Sequence, residues 1–202
     1  TYTKEVGGKM LDTHGRKFVD PIINIGANFL LKLKLSANNV TFIALLIGVS
    51  TSALIYFDLP ILAVLMLWIS GYLDAVDGAM ARKSNTTSTF GTLMDITFDR
   101  IVEVLMIFTL ALKYPLARMN FIVLLMCIII SMTIFLTVGA LANKKGMKSF
   151  YYQAGVAERS EGFLFFSLII LLPKFIILLT NLFSLIIFIT IIQRIIEAKN
   201  VL

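Results

Sequence analysis

Residues 60–99 have the sequence PILAVLMLWISGYLDAVDGAMARKSNTTSTFGTLMDITFD, which contains two apolar runs joined by a short polar link at 83–89. Each run, the second of which continues to residue 112, has about the 20-residue length that a helix needs to cross a bilayer core. Ser88 is a suitable N-cap for the returning helix. Because the link is short, the stretch predicts two neighbouring antiparallel membrane helices.

The composition of the whole chain supports a membrane protein. Of 202 residues, 58% are apolar and 15% are charged, and the mean hydropathy is +0.91. Soluble domains are about half apolar and about a quarter charged. These values exclude an ordinary soluble enzyme and a disordered chain, and the single cysteine, Cys127, excludes a disulfide scaffold.

Six apolar segments are predicted to cross the membrane. The last two are separated only by Pro173 and Lys174, which favours a tight hairpin over one very long helix. We therefore expect an all-α integral membrane protein with six transmembrane helices. The predicted spans are residues 39–57, 60–81, 90–112, 119–142, 160–173 with flanking residues, and 175–196.

An amphipathic helix is predicted before the first span, over residues 18–33. Apolar residues recur there at helical spacing between polar ones, and Pro21 is tolerable in the first turn. Such a helix lies in the membrane interface. We expect one domain over residues 1–202, with a cytoplasmic or interfacial segment at 1–35 and a six-helix bundle at 36–202.

The distribution of lysine and arginine predicts the orientation. With a cytoplasmic N-terminus, most of the 18 basic residues fall on the cytoplasmic side, and only Lys113, Arg118 and Lys174 fall on the other. Both chain ends then lie on the cytoplasmic side. If the source is a prokaryote, we expect the membrane to be the plasma membrane. The net charge of +6 thus reflects topology and contact with anionic membrane lipids, and nucleic acid is not expected as a partner.

Four aspartates lie inside the predicted spans, where a charge is costly and marks function by default. Two share one face of the second span, and two share one face of the third. The short link brings these faces together near the cytoplasmic end. The first face comprises Asp74, Asp77, Gly78, Ala81 and Arg82, and the second comprises Gly91, Asp95 and Asp99.

The converging carboxylates predict a cation site. Four carboxylates in a medium of low dielectric constant repel one another, so they take up protons or bind cations. Oxygen ligands favour Mg²⁺, Mn²⁺ or Ca²⁺, and Mg²⁺ usually shares its site with substrate phosphates. Arg82, one turn from Gly78, would neutralise such a phosphate. Ion pairs with Arg82 and Arg100, or a cation or proton transporter, are the alternatives at this point.

The aspartates also form a recognisable string. Asp74-Ala-Val-Asp77-Gly78-Ala-Met-Ala81-Arg82, followed after eight residues by Gly91-Thr-Leu-Met-Asp95-Ile-Thr-Phe-Asp99, resembles the signature of the CDP-alcohol phosphotransferase (CDP-alcohol phosphatidyltransferase) family. Every fixed position of the pattern D-x2-D-G-x2-A-R-x8-G-x3-D-x3-D is met. Six spans and an N-terminal interfacial helix are also similar to that family's architecture.

The resemblance implies an enzyme that moves a phosphoalkyl group from a CDP-alcohol to another alcohol and releases CMP. It implies two divalent ions, Mg²⁺ or Mn²⁺, held by Asp74, Asp77 and Asp95. Asp99 would contribute to the second ion and act as the catalytic base for the acceptor hydroxyl. The family also tends to be homodimeric. The implied CDP-donor ligands are Asp77, Gly78, Ala81, Arg82 and Gly91.

The substrates follow from the same resemblance. The chain is short, which favours a CDP-diacylglycerol donor, or an ether-lipid analogue, and a small polar alcohol as acceptor. The alternative is an amino-alcohol phosphotransferase that uses CDP-choline or CDP-ethanolamine with diacylglycerol, but those enzymes resemble larger proteins with more spans. The complete set of four aspartates argues against a scaffold that only binds a CDP-lipid.

Basic residues between the fourth and fifth spans mark the expected acceptor side. Lys144, Lys148 and Arg159 are candidate ligands for a phosphorylated acceptor, although positive-inside residues would look the same. Inositol-phosphate enzymes of the family usually carry further arginines where this chain has Gly139-Ala-Leu141 and Gly162. An inositol phosphate is therefore less favoured, and glycerol 3-phosphate, serine or another small alcohol stays open.

Overall fold

The computed structural model describes residues 11–142 and 159–202, with side chains from residue 19 onwards, and these residues form helices and no β-strand. The all-α prediction is confirmed for this part of the chain. Two 3₁₀ turns, Pro115–Ala117 and Pro173–Phe175, precede the fifth and the seventh helix. The helices are α1 (Leu11–Lys32), α2 (Ala37–Tyr56), α3 (Pro60–Lys83), α4 (Thr89–Lys113), α5 (Arg118–Leu141), α6 (Arg159–Leu171) and α7 (Ile176–Val201).

Four helical segments of the described chain are long and apolar enough to cross a membrane. They are Ala37–Tyr56, Pro60–Lys83, Pro115–Leu141 and Pro173–Val201. The other two predicted spans are also helical, but α6 has only 13 described residues. The remaining one, α4, carries Asp95, Asp99, Arg100 and Glu103. The chain is thus an integral membrane protein, and six crossings stay a prediction.

The chain forms two compact units. Among the described residues, one comprises 12–118, with α2, α3, α4 and nearly all of α1, and the other contains 119–142 and 159–202. Helices α6 and α7 of the second unit form the expected hairpin, because only the turn Pro173–Phe175 and its flanking residue separate them. The single domain predicted for residues 1–202 stays a prediction.

The start of α1 corrects one expectation. The sequence pattern predicts Pro21 in the first turn of a helix over 18–33, but α1 begins at Leu11, so Pro21 lies in its interior. The apolar pattern that located the helix begins only at residue 18, whereas the polar residues before it continue the helix. Pro21 has no N–H group, so α1 lacks one helical hydrogen bond at this point.

The two sides of α1 have different surroundings. Ala27 is fully buried in a cluster with Val76 and Met80 of α3. On the other side, several large apolar side chains are exposed, which agrees with a helix at a membrane surface. They are Val19, Ile22, Ile25 and Phe29.

Close packing of three helices supports the site-bearing part of the first unit. A Cβ atom on Gly48 of α2 would lie 2.5 Å from Val102 Cγ2 of α4 and 2.8 Å from Ser70 Oγ of α3. The Ser70 hydroxyl donates to the carbonyl of Ala44 at 2.8 Å. The absence of a side chain at residue 48 therefore lets α2 approach both helices that carry the aspartates.

Candidate active site

Helix α3 places the first pair of aspartates. Asp74 and Asp77 lie on its inner face and are only 9% and 6% exposed. The helix ends in a Schellman motif, in which Asn85 has a φ of 53° and the Thr86 N–H donates to Ala81 O at 2.9 Å. This ending stops the helix just after Arg82 and starts the turn towards α4.

Helix α4 places the second pair. Ser88 is the N-cap, and its hydroxyl accepts a hydrogen bond from the Gly91 N–H at 3.0 Å, as predicted. Because Asp95 and Asp99 follow Gly91 at four-residue intervals, they lie above it on the same face. Both side chains are half-buried.

Three of the four carboxylates meet. Asp74, Asp77 and Asp95 each offer a carboxylate oxygen, and these oxygens lie within 4.8 Å of one another. Such spacing between anions at a poorly hydrated site is costly without a cation. The cluster consists of hard oxygen donors, and the described residues around it contribute no histidine or cysteine to the group. It therefore fits Mg²⁺ or Mn²⁺ better than zinc.

Asp99 is not a member of that group of three. It lines a small pocket together with Asp74, Thr41, Ser70 and Phe98, between α2, α3 and α4. One carboxylate of the group thus faces the same space as Asp99. This position suits a base beside a cation site.

Room for a ligand lies next to the cluster. A Cβ atom on Gly78 would have one neighbour within 4 Å in the described structure, Arg82 Nη1 at 3.4 Å, apart from its own helix backbone and chain neighbours. The guanidinium of Arg82 thus lies over Gly78. A Cβ on Gly91 would lie 3.2 Å from Ser88 Oγ and 3.8 Å from Asn38 Oδ1. The face is open at Gly78 and bordered by polar atoms at Gly91, while Ala81 adds only a methyl group.

The arginine that follows Asp99 has a partner on its own helix. Arg100 Nη2 donates to Glu103 Oε1 at 2.9 Å, and a second contact joins Nη1 to Oε2. This pair engages Arg100 within α4. The alternative that explains the aspartates as ion pairs with Arg82 and Arg100 is weakened accordingly.

The predicted acceptor ligands are only partly described. Lys144 and Lys148 lie outside the described residues. Arg159 is the first residue of α6, and its guanidinium carbon lies 5.7 Å from the ring centroid of Phe163.

The charge pattern places Arg194 of α7 with the basic residues of the cytoplasmic side, but its side chain is only 8% exposed. Its Nη1 donates to the carbonyl and to the hydroxyl of Ser131 on α5, each at 2.9 Å, and its guanidinium carbon lies 4.9 Å from the centroid of Phe135. A signal was present, because Arg194 interrupts the apolar run of the last helix.

Comparison with protein families gives a match that includes α3 and α4. The model of the CDP-alcohol phosphatidyltransferase family matches residues 34–196. The chain belongs to this family. The match confirms the resemblance inferred from the aspartate string, and it confirms the expected enzyme class, a CDP-alcohol phosphatidyltransferase, at the level of the family.

One relative of known name matches part of the chain. An archaetidylinositol phosphate synthase of Pyrococcus horikoshii is 36% identical over 103 residues, which are 51% of this chain and 54% of that protein. The chain thus spans about half the length of this relative.

Two solved structures of the phosphatidylinositol phosphate synthase PgsA1 of Mycobacterium tuberculosis share the fold. The one with CDP-DAG bound is 20% identical, has a TM-score of 0.72 and covers 88% of this chain and 94% of its own. The one with manganese and citrate is 22% identical, has a TM-score of 0.69 and covers 88% of both. The CDP-DAG and the manganese belong to those two structures, and at this level of identity the likeness shows the fold of this chain.

Proposed function

We propose that this CDP-alcohol phosphatidyltransferase moves the phosphatidyl group of CDP-diacylglycerol, or of an ether-lipid analogue, to a small polar alcohol and releases CMP. The observation that carries the proposal is the meeting of Asp74, Asp77 and Asp95 within 4.8 Å. The complete signature around these residues supports it, as do relatives that bear the names of inositol phosphate synthases.

The aspartates are proposed to hold two divalent ions. Asp74, Asp77 and Asp95 supply the hard oxygen ligands, and Asp99 contributes to the second ion. Mg²⁺ or Mn²⁺ bound there would neutralise charge on the diphosphate and on the departing CMP. The carboxylate spacing and the lack of soft ligands in the cluster both support this assignment.

The donor is proposed to lie on the faces that the small residues leave open. Gly78, Ala81 and Gly91 make room for the cytidine, Asp77 adjoins it, and Arg82 contacts the diphosphate. The position of Arg82 over Gly78 supports this arrangement, because a guanidinium recognises phosphate oxygens through paired N–H groups.

Asp99 is proposed as the general base. It takes the proton from the acceptor hydroxyl, and the acceptor oxygen then bonds to the phosphorus of the phosphatidyl group. The bond from that phosphorus to the bridging oxygen breaks, and CMP leaves with the electron pair. The shared pocket of Asp99 and Asp74 supports this role.

The acceptor is proposed to carry a phosphate group. Lys144, Lys148 and Arg159 are the candidate ligands from the sequence. Basic side chains on the expected acceptor side suit an anionic group. Glycerol 3-phosphate and an inositol phosphate both fit this chemistry.

The remaining architecture belongs to the same proposal. We take α2 to α7 as six membrane crossings, α1 as an interfacial helix, and both chain ends and the active site as cytoplasmic. The single domain at 1–202 and a homodimer complete this picture. The exposed apolar side chains of α1 support the interfacial helix, and the excess of basic residues on one side of the predicted spans supports the orientation.

The test is a screen of acceptors with purified protein. CDP-diacylglycerol, Mn²⁺ and one of glycerol 3-phosphate, inositol phosphate or serine are mixed, CMP is quantified, and lipid products are identified by mass spectrometry. We expect CMP release and a new phospholipid with a phosphorylated acceptor. CMP release with serine as the only effective acceptor would contradict the proposal that the acceptor carries a phosphate group. Cation flux in proteoliposomes without CMP release from any donor would instead indicate a transporter.

A further inference from the structure

Helix α1 is fastened to α3 at both ends of the segment that carries the first aspartates. Two residues before Asp74, the Tyr72 hydroxyl donates to the carbonyl of Ile22 at 3.1 Å. Directly after Arg82, the Lys83 ammonium donates to Asn28 Oδ1 at 2.7 Å and to the carbonyl of Asn24 at 3.3 Å.

Close packing fixes the register of this contact. A Cβ atom on Gly26 would overlap with Tyr72 Oη, so the tyrosine ring occupies the space that a side chain at residue 26 would need. Ala27 beside it is fully buried, as are Val76 and Met80 of α3. A slide of α1 along α3 would therefore break both apolar contacts and hydrogen bonds.

Lys83 lies in the last turn of α3. The last turn of a helix lacks half of its hydrogen bonds and opens readily. The Schellman motif closes this turn through Thr86 N–H and Ala81 O, and the Ser84 hydroxyl donates to Met80 O at 2.8 Å. The hydrogen bonds from Lys83 to α1 add a tertiary contact to these local bonds.

We propose that Lys83 is a positioning residue for the CDP donor. Asn24 and Asn28 of α1 hold its ammonium, which fixes the last turn of α3 and thereby keeps Arg82 over Gly78. This inference rests on the proposed role of Arg82 at the diphosphate. Lys83 itself does not touch the donor; it acts through Arg82.

The test compares Lys83→Met, Lys83→Arg and Asn28→Ala with the matched control Lys32→Met, which removes a charge from an exposed lysine in the last turn of α1. The KM for CDP-diacylglycerol, kcat and the thermal midpoint are measured for each. Loss of a partly exposed charge-assisted hydrogen bond predicts that Lys83→Met raises this KM about threefold to tenfold, with kcat within about twofold of wild type. Asn28→Ala should act in the same direction, Lys83→Arg should restore part of the loss, and Lys32→Met should behave as wild type.

A double variant separates positioning from mere stability. In an Arg82→Ala background, Lys83→Met should add no further rise in KM, because Lys83 acts through the missing arginine. A full additional rise in that background, an equal effect of Lys32→Met, or a shift in thermal midpoint with an unchanged KM would overturn the proposal. The proposed function fails differently, through a wild-type protein that neither binds CDP-diacylglycerol nor releases CMP.

Discussion

The two units carry their buried charged groups in different ways. In the first unit, α3 and the adjoining α4 bring Asp74, Asp77 and Asp95 within 4.8 Å. In the second, Arg194 meets Ser131, a residue 63 positions away on a helix that does not adjoin it in the chain. Spacing along neighbouring helices reveals the first arrangement, whereas only tertiary structure reveals the second.

The largest expected effect concerns the first unit. Asp99→Asn should lower kcat by about 10²- to 10⁴-fold, because the amide cannot accept the proton of the acceptor hydroxyl. CDP-diacylglycerol binding, measured by calorimetry, should remain. Asp58→Asn, at the exposed end of the α2–α3 loop, is the matched control. Normal turnover of Asp99→Asn would remove Asp99 as the base.

The second unit should give a smaller effect, on stability. Arg194→Met should lower the free energy of unfolding by about 1–3 kcal/mol, because the charge-assisted hydrogen bonds to Ser131 are lost, and thermal unfolding in detergent measures it. Arg194→Lys should recover part of this, and Lys199→Met, at an exposed lysine of the last turn of α7, should have no effect. An unchanged thermal midpoint for Arg194→Met would show that the contacts to Ser131 do not stabilise the fold.

These two cases show what the sequence predicts and what it does not. The apolar runs locate all six helices of the predicted bundle, and Ser88 marks the start of α4 as expected. The i, i+4 spacing and the short link also predict the aspartate cluster. The burial of Arg194 does not follow from the sequence, because a basic residue near the end of an apolar helix has the same pattern whether it is exposed or buried. The start of α1 does not follow from it either, because polar residues carry no apolar periodicity.

A pair of alanine substitutions extends the comparison to packing. Gly48→Ala should lower the free energy of unfolding by about 1–3 kcal/mol, because its Cβ would lie 2.5 Å from Val102 Cγ2. Gly162→Ala in the second unit should be neutral or stabilising by up to about 1 kcal/mol, because its Cβ would meet Phe183 at an ordinary 3.8 Å. Thermal unfolding in detergent measures both. A greater loss for Gly162→Ala would contradict this view of the packing.

The smallest effect is expected at the end of α3. Asn85 has a φ of 53°, a conformation that glycine adopts without strain. Asn85→Gly should therefore stabilise the protein by about 0.5 kcal/mol, and Asn85→Ala should destabilise it by about 1 kcal/mol, as thermal midpoints can show. The same midpoint for all three proteins would mean that this Schellman motif does not limit stability.

The central claim is that the three meeting carboxylates hold the divalent ions of a phosphatidyl transfer. Binding of Mn²⁺, followed by electron paramagnetic resonance in parallel with CMP release, tests it most directly. We expect two bound ions per chain in wild type, and we expect Asp95→Asn to lose tight Mn²⁺ binding and CMP release together. Undiminished CMP release from Asp95→Asn, or from wild type stripped of divalent ions with EDTA, would contradict the claim.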